Sequence, residues 1–306
     1  MKITYLGTAA AEGWPAMFCN CEYCVKAKAL GGKNIRTRSQ TLINDDFLID
    51  FPSDTYHHML STGIDLSRVK YCFVTHSHID HFEPTDLCMR FESCYAHNMV
   101  EPTLNIYGNA AVMKRFERFV GKLGEEETPP AVTVTEIKAY ETVTVGRYTV
   151  TPLPAFHAPK ETPFVYLIND GEKTLLYLHD TGLPFDEVYD YLERNKIRAD
   201  MVSYDCTFVA LPSGGGHMGL DSVPLVKDRL SKIGVTHEET VHAVNHFSHN
   251  GMLLHDELSE KALTLKSFEA LEKVANGTAT KLIIPSELQN ISSIAATIKE
   301  ASEKIN

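Results

Sequence analysis

Residues 75–81 are the part of this chain whose residue types and spacing could most clearly perform chemistry. They follow the apolar, strand-like run 69–74 and place four potential metal ligands within six positions: His76, His78, Asp80 and His81. Imidazole and carboxylate groups hold zinc, manganese or iron while leaving positions open for water and substrate. The segment therefore predicts one half of a two-metal hydrolytic centre. The alternative is a histidine-rich surface loop, which would need no partners elsewhere.

Suitable partners occur further along the chain, each after a run rich in β-branched, aromatic or other apolar residues: His157, Asp180 and His246. These runs predict strands, and strand ends are where loop side chains can converge on one site. Three separate strand ends that each supply a histidine or an aspartate are not expected of a surface loop. A metal centre is therefore the favoured interpretation.

The ordered pattern HxHxDH, H, D, H resembles that of the metallo-β-lactamase fold superfamily, which implies a four-layer αββα sandwich. Carried over position by position, one metal is bound by His76, His78 and His157, the other by Asp80, His81 and His246, and both by Asp180. Branches of the superfamily that run oxygen chemistry on two irons usually replace the second motif histidine by glutamate. The histidine at position 78 therefore favours hydrolysis.

Three cysteines close to the amino terminus form a second motif: Cys19, Cys21 and Cys24. Disulfides are disfavoured because the chain carries no secretory segment and is expected to be cytoplasmic, where thiols stay reduced. A structural zinc requires four ligands, so a further histidine or cysteine should come from elsewhere. The alternative is a set of reduced, packed thiols.

The cysteine spacing narrows the resemblance to the PhnP-like phosphodiesterases of the carbon–phosphorus lyase pathway, in which a CxCxxC cluster binds zinc. In that group the last ligand strand ends in an HxSH-like motif, which residues 246–249 match. The resemblance implies that His246 faces the catalytic metals and that His249 completes the zinc site. Loss of that zinc should then also loosen His246.

Residues 214–222 form a glycine-rich stretch before a predicted helix at 220–233. The resemblance matches His217 to a general acid and gives catalytic roles to His217 and Asp80. An imidazole suits this task because its ordinary pKa, about 6.5, leaves both protonation states available near neutrality. Two other roles for His217 stay open: an idle residue on a mobile loop, or a competing ligand of the structural zinc.

Length and charge limit the classes of function. A chain of 306 residues with 43% hydrophobic content can bury one substantial core, so we predict a single domain over 1–306. The formal net charge of −11 disfavours nucleic acid and anionic membranes as partners. No apolar run is long enough to cross a bilayer. The resemblance also suggests a homodimer.

The resulting hypothesis is a phosphodiesterase that hydrolyses a small anionic phosphodiester, either linear or cyclic. Two divalent metals, Mn or Zn with Fe as a further option, would share an attacking hydroxide, and a structural Zn would sit apart. Three alternatives stay open: a tRNA-processing nuclease, an iron-dependent oxygenase resembling the pyrroloquinoline-quinone biosynthesis protein, and a scaffold without activity.

Several residues have two open roles at this stage. Asp50 either orients a ligand imidazole or caps the helix that follows it. Arg36 and Arg38 suit phosphate recognition but are equally ordinary surface residues. Lys160 either meets an anionic substrate at the rim or is simply solvated.

Overall fold

A computed structural model of the chain describes residues 1–91, 95–121, 130–255 and 257. Within them, two six-stranded sheets are present. The first sheet follows chain order: β1 (Ile3–Gly7), β2 (Gln40–Ile43), β3 (Phe47–Ile49), β4 (Tyr71–Phe73), β5 (Leu104–Gly108) and β6 (Val132–Glu136). Its first three strands are antiparallel, and β3 to β6 are parallel.

The second sheet is also ordered by sequence: β7 (Val143–Val145), β8 (Tyr148–Pro154), β9 (Phe164–Asn169), β10 (Thr174–Leu178), β11 (Met201–Asp205) and β12 (Val241–Asn245). Strands β7 to β10 pair antiparallel, and β10 to β12 pair parallel. Since two antiparallel pairings separate β8 from β10, these strands point the same way. The carboxyl ends of β8, β10, β11 and β12 therefore share one edge.

The α-helices within the described residues are α1 (Glu22–Leu30), α2 (Thr55–Thr62), α3 (Ala110–Phe119), α4 (Asp186–Arg194) and α5 (Val223–Lys232). Short 3-10 helices occur at Gly32–Asn34, Leu66–Arg68, Pro84–Arg90 and His249–Gly251. None of the helices in this described part is both long enough and apolar enough to span a membrane.

Alternating strand residues divide the apolar side chains among three buried clusters. Phe47 and Ile49 of β3 pack between the sheets against residues such as Tyr166 and Tyr177. Leu48 points the opposite way, into a cluster that includes Val112 of α3. A third cluster packs α4 and α5 on the outer face of the second sheet. Helices thus cover the outside of two packed sheets, which confirms the predicted αββα fold.

The chain ties the two sheets together near the predicted site. Just beyond β1, Ala9 forms isolated bridges with Arg38 and with Phe247, which follows β12. The Phe247 N–H donates to the Thr8 carbonyl at 2.9 Å, and the Ala10 N–H donates to the Phe247 carbonyl at 2.9 Å. The loops after β1 and β12 are therefore held side by side, which brings residues 19–24 close to residues 246–249.

Met1–Leu254 forms one compact unit, whereas the prediction of a single domain over all 306 positions extends beyond the described residues. Two predicted carboxyl-terminal helices, at 259–275 and 291–305, lie outside the described residues. The predicted helix at 220–233 begins later, at Val223. The reason is local: Asp221 accepts hydrogen bonds from the backbone and hydroxyl of Ser213, which hold this residue in the loop.

Candidate metal centre

The structure brings the first predicted ligand group together at one edge of the sheets: His76, His78, His157 and Asp180. His78 Nδ1 lies 2.9 Å from His76 Nε2 and 3.3 Å from His157 Nε2. Asp180 Oδ2 lies 3.2 Å from His76 Nε2 and 3.3 Å from His157 Nε2. Four potential ligand atoms from three separate parts of the chain therefore surround one point.

The second predicted group is equally close: Asp80, His81, Asp180 and His246. His81 Nε2 is 3.2 Å from Asp80 Oδ2 and 3.3 Å from His246 Nε2. The same nitrogen lies 3.0 Å from Asp180 Oδ2. All four side chains are buried, so a cation held here would be largely shielded from solvent.

Asp180 is the residue common to both groups, and its Oδ2 atom lies between them. Its Oδ1 atom is buried and accepts no hydrogen bond from the described residues, although His217 Nδ1 lies 3.1 Å away. A buried carboxylate oxygen without a hydrogen bond is costly unless a cation compensates it. The donor set and the position of Asp180 in both groups therefore fit a pair of divalent metals bridged by this carboxylate.

Three residues of the site have left-handed backbone conformations that side-chain-bearing residues rarely adopt. The φ angles are 67° for Asp50, 53° for Asp180 and 64° for His246. Each residue follows closely on a strand end, where the chain must turn sharply to aim the side chain inward. Such strain costs roughly 1 kcal/mol or more per residue and persists where the surroundings fix it, which is typical of functional sites.

The electrostatics of the centre favour bound cations. Burial acts to lower the pKa of His81, yet Asp50 and Asp80 raise this pKa well above its ordinary value. The same carboxylates attract a metal cation, which would displace a proton from His81 on binding. Burial acts to raise the pKa of Asp180, but His246 and His76 hold it well below the usual range. Burial lowers the pKa of His157 to about 4, so this imidazole is neutral near pH 7. Ionised carboxylates beside a neutral imidazole are what a divalent metal requires.

Asp50 orients the imidazole of a predicted ligand, His81, which is one of the two roles predicted for Asp50. Its Oδ2 accepts from His81 Nδ1 at 2.7 Å, and its Oδ1 accepts from the backbone and hydroxyl of Thr75 at 2.7 and 2.9 Å. His81 therefore turns its Nε2 toward Asp180. The alternative role as a helix cap is wrong, because Asp54 precedes α2 at the capping position.

Asp205, at the end of β11, is a fully buried carboxylate. The sequence places residues 205–207 after a strand, in a segment that resembles one near the cleft of PhnP-like proteins, but it assigns Asp205 no role. Its oxygens accept from the backbone N–H groups of Asp180 at 3.1 Å and Met218 at 2.8 Å, and from the Thr207 hydroxyl at 2.9 Å. Burial acts to raise the pKa of Asp205, but hydrogen bonds with His217 and His246 lower it to about 2. Asp205 therefore links the loops that carry three site residues. The strand-end pattern that identified Asp180 would also have identified it.

His217 is held over the centre by a tight glycine turn. Gly214 and His217 pair through reciprocal backbone hydrogen bonds of 3.2 and 3.0 Å, with Gly215 and Gly216 at φ angles of 57° and 91°. A Cβ atom at Gly216 would lie 2.9 Å from the Phe156 carbonyl oxygen, so only glycine allows this approach. His217 Nδ1 lies 3.1 Å from Asp180 Oδ1 and 3.4 Å from Asp205 Oδ2.

This placement excludes one of the three roles that the sequence left open for His217. Its ring lies against His157 and Phe208, with centroid separations of 4.9 and 5.8 Å. It is not part of the cysteine group, whose fourth member is His249. The interpretation of His217 as a zinc ligand beside the cysteines is therefore wrong, and its position fits a residue that acts on a molecule in the cleft.

The cysteine cluster meets the predicted histidine: Cys19, Cys21, Cys24 and His249 offer four ligand atoms within 4.8 Å of one another. His249 Nδ1 lies 3.5 Å from Cys21 Sγ and 3.8 Å from Cys19 Sγ. Burial acts to raise the pKa of Cys21, but hydrogen bonds from the Cys24 backbone and from His249 lower it to about 6. Three sulfurs and one nitrogen suit a tetrahedral structural zinc.

Replacing Cys24 with alanine should remove this zinc and reduce activity by loosening the loop that carries His246. We expect one metal equivalent to be lost, together with a lower midpoint of thermal unfolding, because structural zinc contributes folding free energy directly. Elemental analysis and thermal denaturation measure both quantities. Cys88→Ala is the matched control, since Cys88 is partly buried and lies outside the metal groups. Unchanged zinc content in Cys24→Ala would contradict this assignment.

Glu161 fixes the loop between the first two ligand histidines, a role that the sequence reading missed. Its carboxylate accepts from the Ser77 backbone at 3.1 Å, from the Ser77 hydroxyl at 2.7 Å and from Asn109 Nδ2 at 2.8 Å. Asn109 also caps α3 through Ala111 and Val112. The helix end, Glu161 and the metal loop therefore form one hydrogen-bonded unit.

Substituting glutamine for Glu161 should weaken metal binding at the group that contains His76 and His78. An amide offers one acceptor oxygen where the carboxylate offers two, so at least one of the three donors on Ser77 and Asn109 loses its partner. Loss of such supporting contacts costs roughly 10–100-fold in metal affinity. Metal titration of Glu161→Gln tests this, with the exposed Glu141→Gln as control. Equal affinities in the two variants would show that Glu161 does not position the loop.

A cavity of about 230 Å³ opens onto the centre. Its lining includes five predicted ligands together with His217, Phe208, Thr207 and Glu12. Neither arginine left open in the sequence reading lines it. Arg36 donates to Thr8 Oγ1 at 2.9 Å and lies over the Phe247 ring, whereas Arg38 pairs with Asp54 at 3.2 Å. Both arginines support the framework around the cavity, and Lys160 lines a different cavity.

The fold and the geometry of this centre together define the metallo-β-lactamase class of hydrolases. The chain belongs to the beta-lactamase superfamily, since the sequence profile of the beta-lactamase superfamily domain matches residues 47–250, more than half of its length. No curated protein sequence matches the chain significantly.

Solved structures share the fold at low sequence identity. One is a diphosphatase from the PhnP family, with 20% identity, a TM-score of 0.62, and coverage of 83% of this chain and 89% of that one. Zinc-bound PqqB from Methylobacterium extorquens shares 17% identity with a TM-score of 0.56, covering 81% and 98%. The short form of human tRNase Z shares 18% identity with a TM-score of 0.57, covering 81% and 93%. At these identities the likeness establishes the fold alone.

Proposed function

We propose that this protein is a metal-dependent phosphodiesterase that hydrolyses a small anionic phosphodiester. The observation that carries the proposal is the convergence of six predicted ligand residues on the seventh, Asp180, with His217 beside them. His76, His78 and His157 would hold one metal, Asp80, His81 and His246 the other, and Asp180 both. When bound, such a pair supplies an activated water and neutralises the charge that develops on the phosphoryl oxygens.

The role proposed for His217 is to donate a proton to the departing alkoxide. It lies at the cavity wall, is one fifth exposed, and is hydrogen-bonded to the buried Asp205. Burial acts to lower the pKa of His217, but Asp205 and Asp180 raise it above its ordinary value. A raised pKa increases the fraction of imidazole that is protonated at a given pH, and the protonated form is the one that a general acid requires. Asp205 fixes the direction in which the ring points.

The cavity supports a small substrate. At about 230 Å³ it is below the usual range of roughly 300–1,000 Å³ for drug-sized ligands, and a polymer would have to lie outside it. The net charge of −11 also disfavours attraction to RNA. These two observations favour a small phosphodiester, linear or cyclic, over a tRNA precursor as the candidate substrate.

A diphosphate is a second candidate substrate. The structure from the PhnP family is described as a diphosphatase, and the same centre could accept a phosphoanhydride, since two metals and an acid serve both leaving groups. The two candidates differ in the bond that is cleaved. A phosphodiesterase yields an alcohol and a monophosphate, which stay joined in one product when the diester is cyclic, whereas a diphosphatase yields two phosphates.

A substrate screen tests the proposal directly. Enzyme reconstituted separately with manganese and zinc would be assayed against cyclic nucleotides, cyclic sugar phosphates, linear diesters, dinucleoside diphosphates and a precursor tRNA. We expect turnover of a small diester with at least one metal. Turnover of diphosphates alone would favour the second candidate. Iron-dependent oxygen uptake without hydrolysis would refute the proposal in favour of an oxygenase.

A further inference from the structure

A second and larger cavity, of about 630 Å³, lies beside the metal loop and contains none of the proposed ligands. It is bounded by the start of α3, the residues that follow β6 and the loop 159–162. Buried side chains of Ile137 and Phe164 contribute apolar surface to its wall. A volume of this size falls within the usual range of roughly 300–1,000 Å³ for small-molecule sites.

Three lysines line this cavity: Lys114, Lys138 and Lys160. All are exposed, and none lies within 4.0 Å of a described carboxylate, unlike Lys2, Lys26, Lys70 and Lys173, which form ion pairs. Such a concentration of unpaired positive charge is notable in a chain of net charge −11. Like charges repel, so the grouping is costly unless an anion neutralises it.

Two carboxylates in the cavity wall, Glu136 and Glu161, offset part of this charge, but three lysines against two carboxylates leave the lining with a positive excess. Glu161 directs its oxygens to Ser77 and Asn109, and Glu136 is exposed at the end of β6 with no described cation within 4.0 Å. The amino-terminal residues Ala110 and Ala111 of α3 also line the cavity, where the helix dipole adds partial positive charge. The local field therefore favours an anion.

We propose that this cavity binds the phosphate group of a small molecule, at a site separate from the metal centre. Three ammonium groups can each donate to a different phosphate oxygen, and lysine is a common phosphate ligand. The apolar wall would contact the organic part of the same molecule. Because Glu161 lines the cavity and also holds Ser77, occupancy would be felt at the loop between His76 and His78. The phosphate belongs either to a separate effector or to a second phosphate of the substrate.

The test compares two triple variants of the metal-loaded protein that lose the same charge. One carries Lys114→Ala, Lys138→Ala and Lys160→Ala. The control carries Lys28→Ala, Lys227→Ala and Lys232→Ala, which alter exposed lysines of α1 and α5. Binding of labelled inorganic phosphate is measured by equilibrium dialysis, with and without Asp180→Ala to separate binding at the metals. We expect the cavity variant alone to bind phosphate about tenfold or more weakly at one site in both backgrounds.

Phosphate binding as strong as that of the wild type in both triple variants would overturn the proposal. Equal weakening in both variants would also overturn it, because it would show nonspecific electrostatic attraction. Kinetics then identify the source of the phosphate. If the cavity variant has a raised KM only for diesters that carry an additional phosphate, the site binds a phosphate group of the substrate. If the variant instead loses a change in hydrolysis rate that added inorganic phosphate causes in the wild type, the site binds an effector. The binding result does not depend on the proposed hydrolysis, so failure of one leaves the other testable.

Discussion

Replacing Asp180 with alanine is expected to abolish hydrolysis and to release both catalytic metals while the cysteine-bound zinc remains. Asp180 Oδ2 lies within 3.0 to 3.3 Å of His76, His81 and His157, so its loss removes the only side chain shared by both groups. The remaining imidazoles would face one another without the bridging carboxylate. Elemental analysis and diester turnover measure the two effects.

The control for this experiment is Asp190→Ala, since Asp190 is an exposed aspartate on α4. We expect this control to keep full metal content and full activity. An Asp180→Ala protein that retains both metals, or that turns over substrate at the wild-type rate, would contradict the assignment of Asp180 as the bridge.

Substituting alanine for His217 is expected to lower kcat by roughly 10²–10⁴-fold for diesters with alkyl leaving groups, as general acid catalysis contributes about that much. Metal content should stay unchanged, because His217 is not one of the seven proposed ligands. A p-nitrophenyl diester should be much less affected, since a good leaving group departs without a proton. His97→Ala, which alters an exposed histidine, is the control.

The dependence on the leaving group separates catalysis from structural support. If His217 only stabilised the loop, the variant would slow alkyl and p-nitrophenyl substrates by the same factor. Asp205→Asn should show a weaker form of the same pattern, because it misdirects the imidazole without removing it. Identical losses for both substrates in His217→Ala would therefore refute the role of proton donor.

The proposed ligand set could be predicted from the sequence because metal ligands lie at strand ends, and strands are readable from apolar runs. His157, Asp180 and His246 each follow such a run, and the parallel pairing of β10 to β12 brings two of them to one edge. The pairing of Cys19, Cys21 and Cys24 with His249 depended instead on resemblance. Their approach results from the bridge between Ala9 and Phe247, which no local pattern reveals.

Supporting contacts were harder to predict because they join residues far apart in the chain. Glu161 holds Ser77, which is 84 positions earlier, and neither residue carries a recognisable motif. Asp50 had two plausible roles until the structure placed it 2.7 Å from His81 Nδ1. Helix boundaries also shifted where side chains compete with the backbone. The predicted helix at 220–233, for example, begins only at Val223.

The most direct test of a two-metal centre bridged by Asp180 is a crystal structure of the metal-loaded protein with anomalous scattering data. We predict two strong peaks roughly 3.5–4 Å apart, one beside His76, His78 and His157 and the other beside Asp80, His81 and His246, with Asp180 contacting both. A single peak in this region, or two peaks with Asp180 bound to neither, would contradict this prediction.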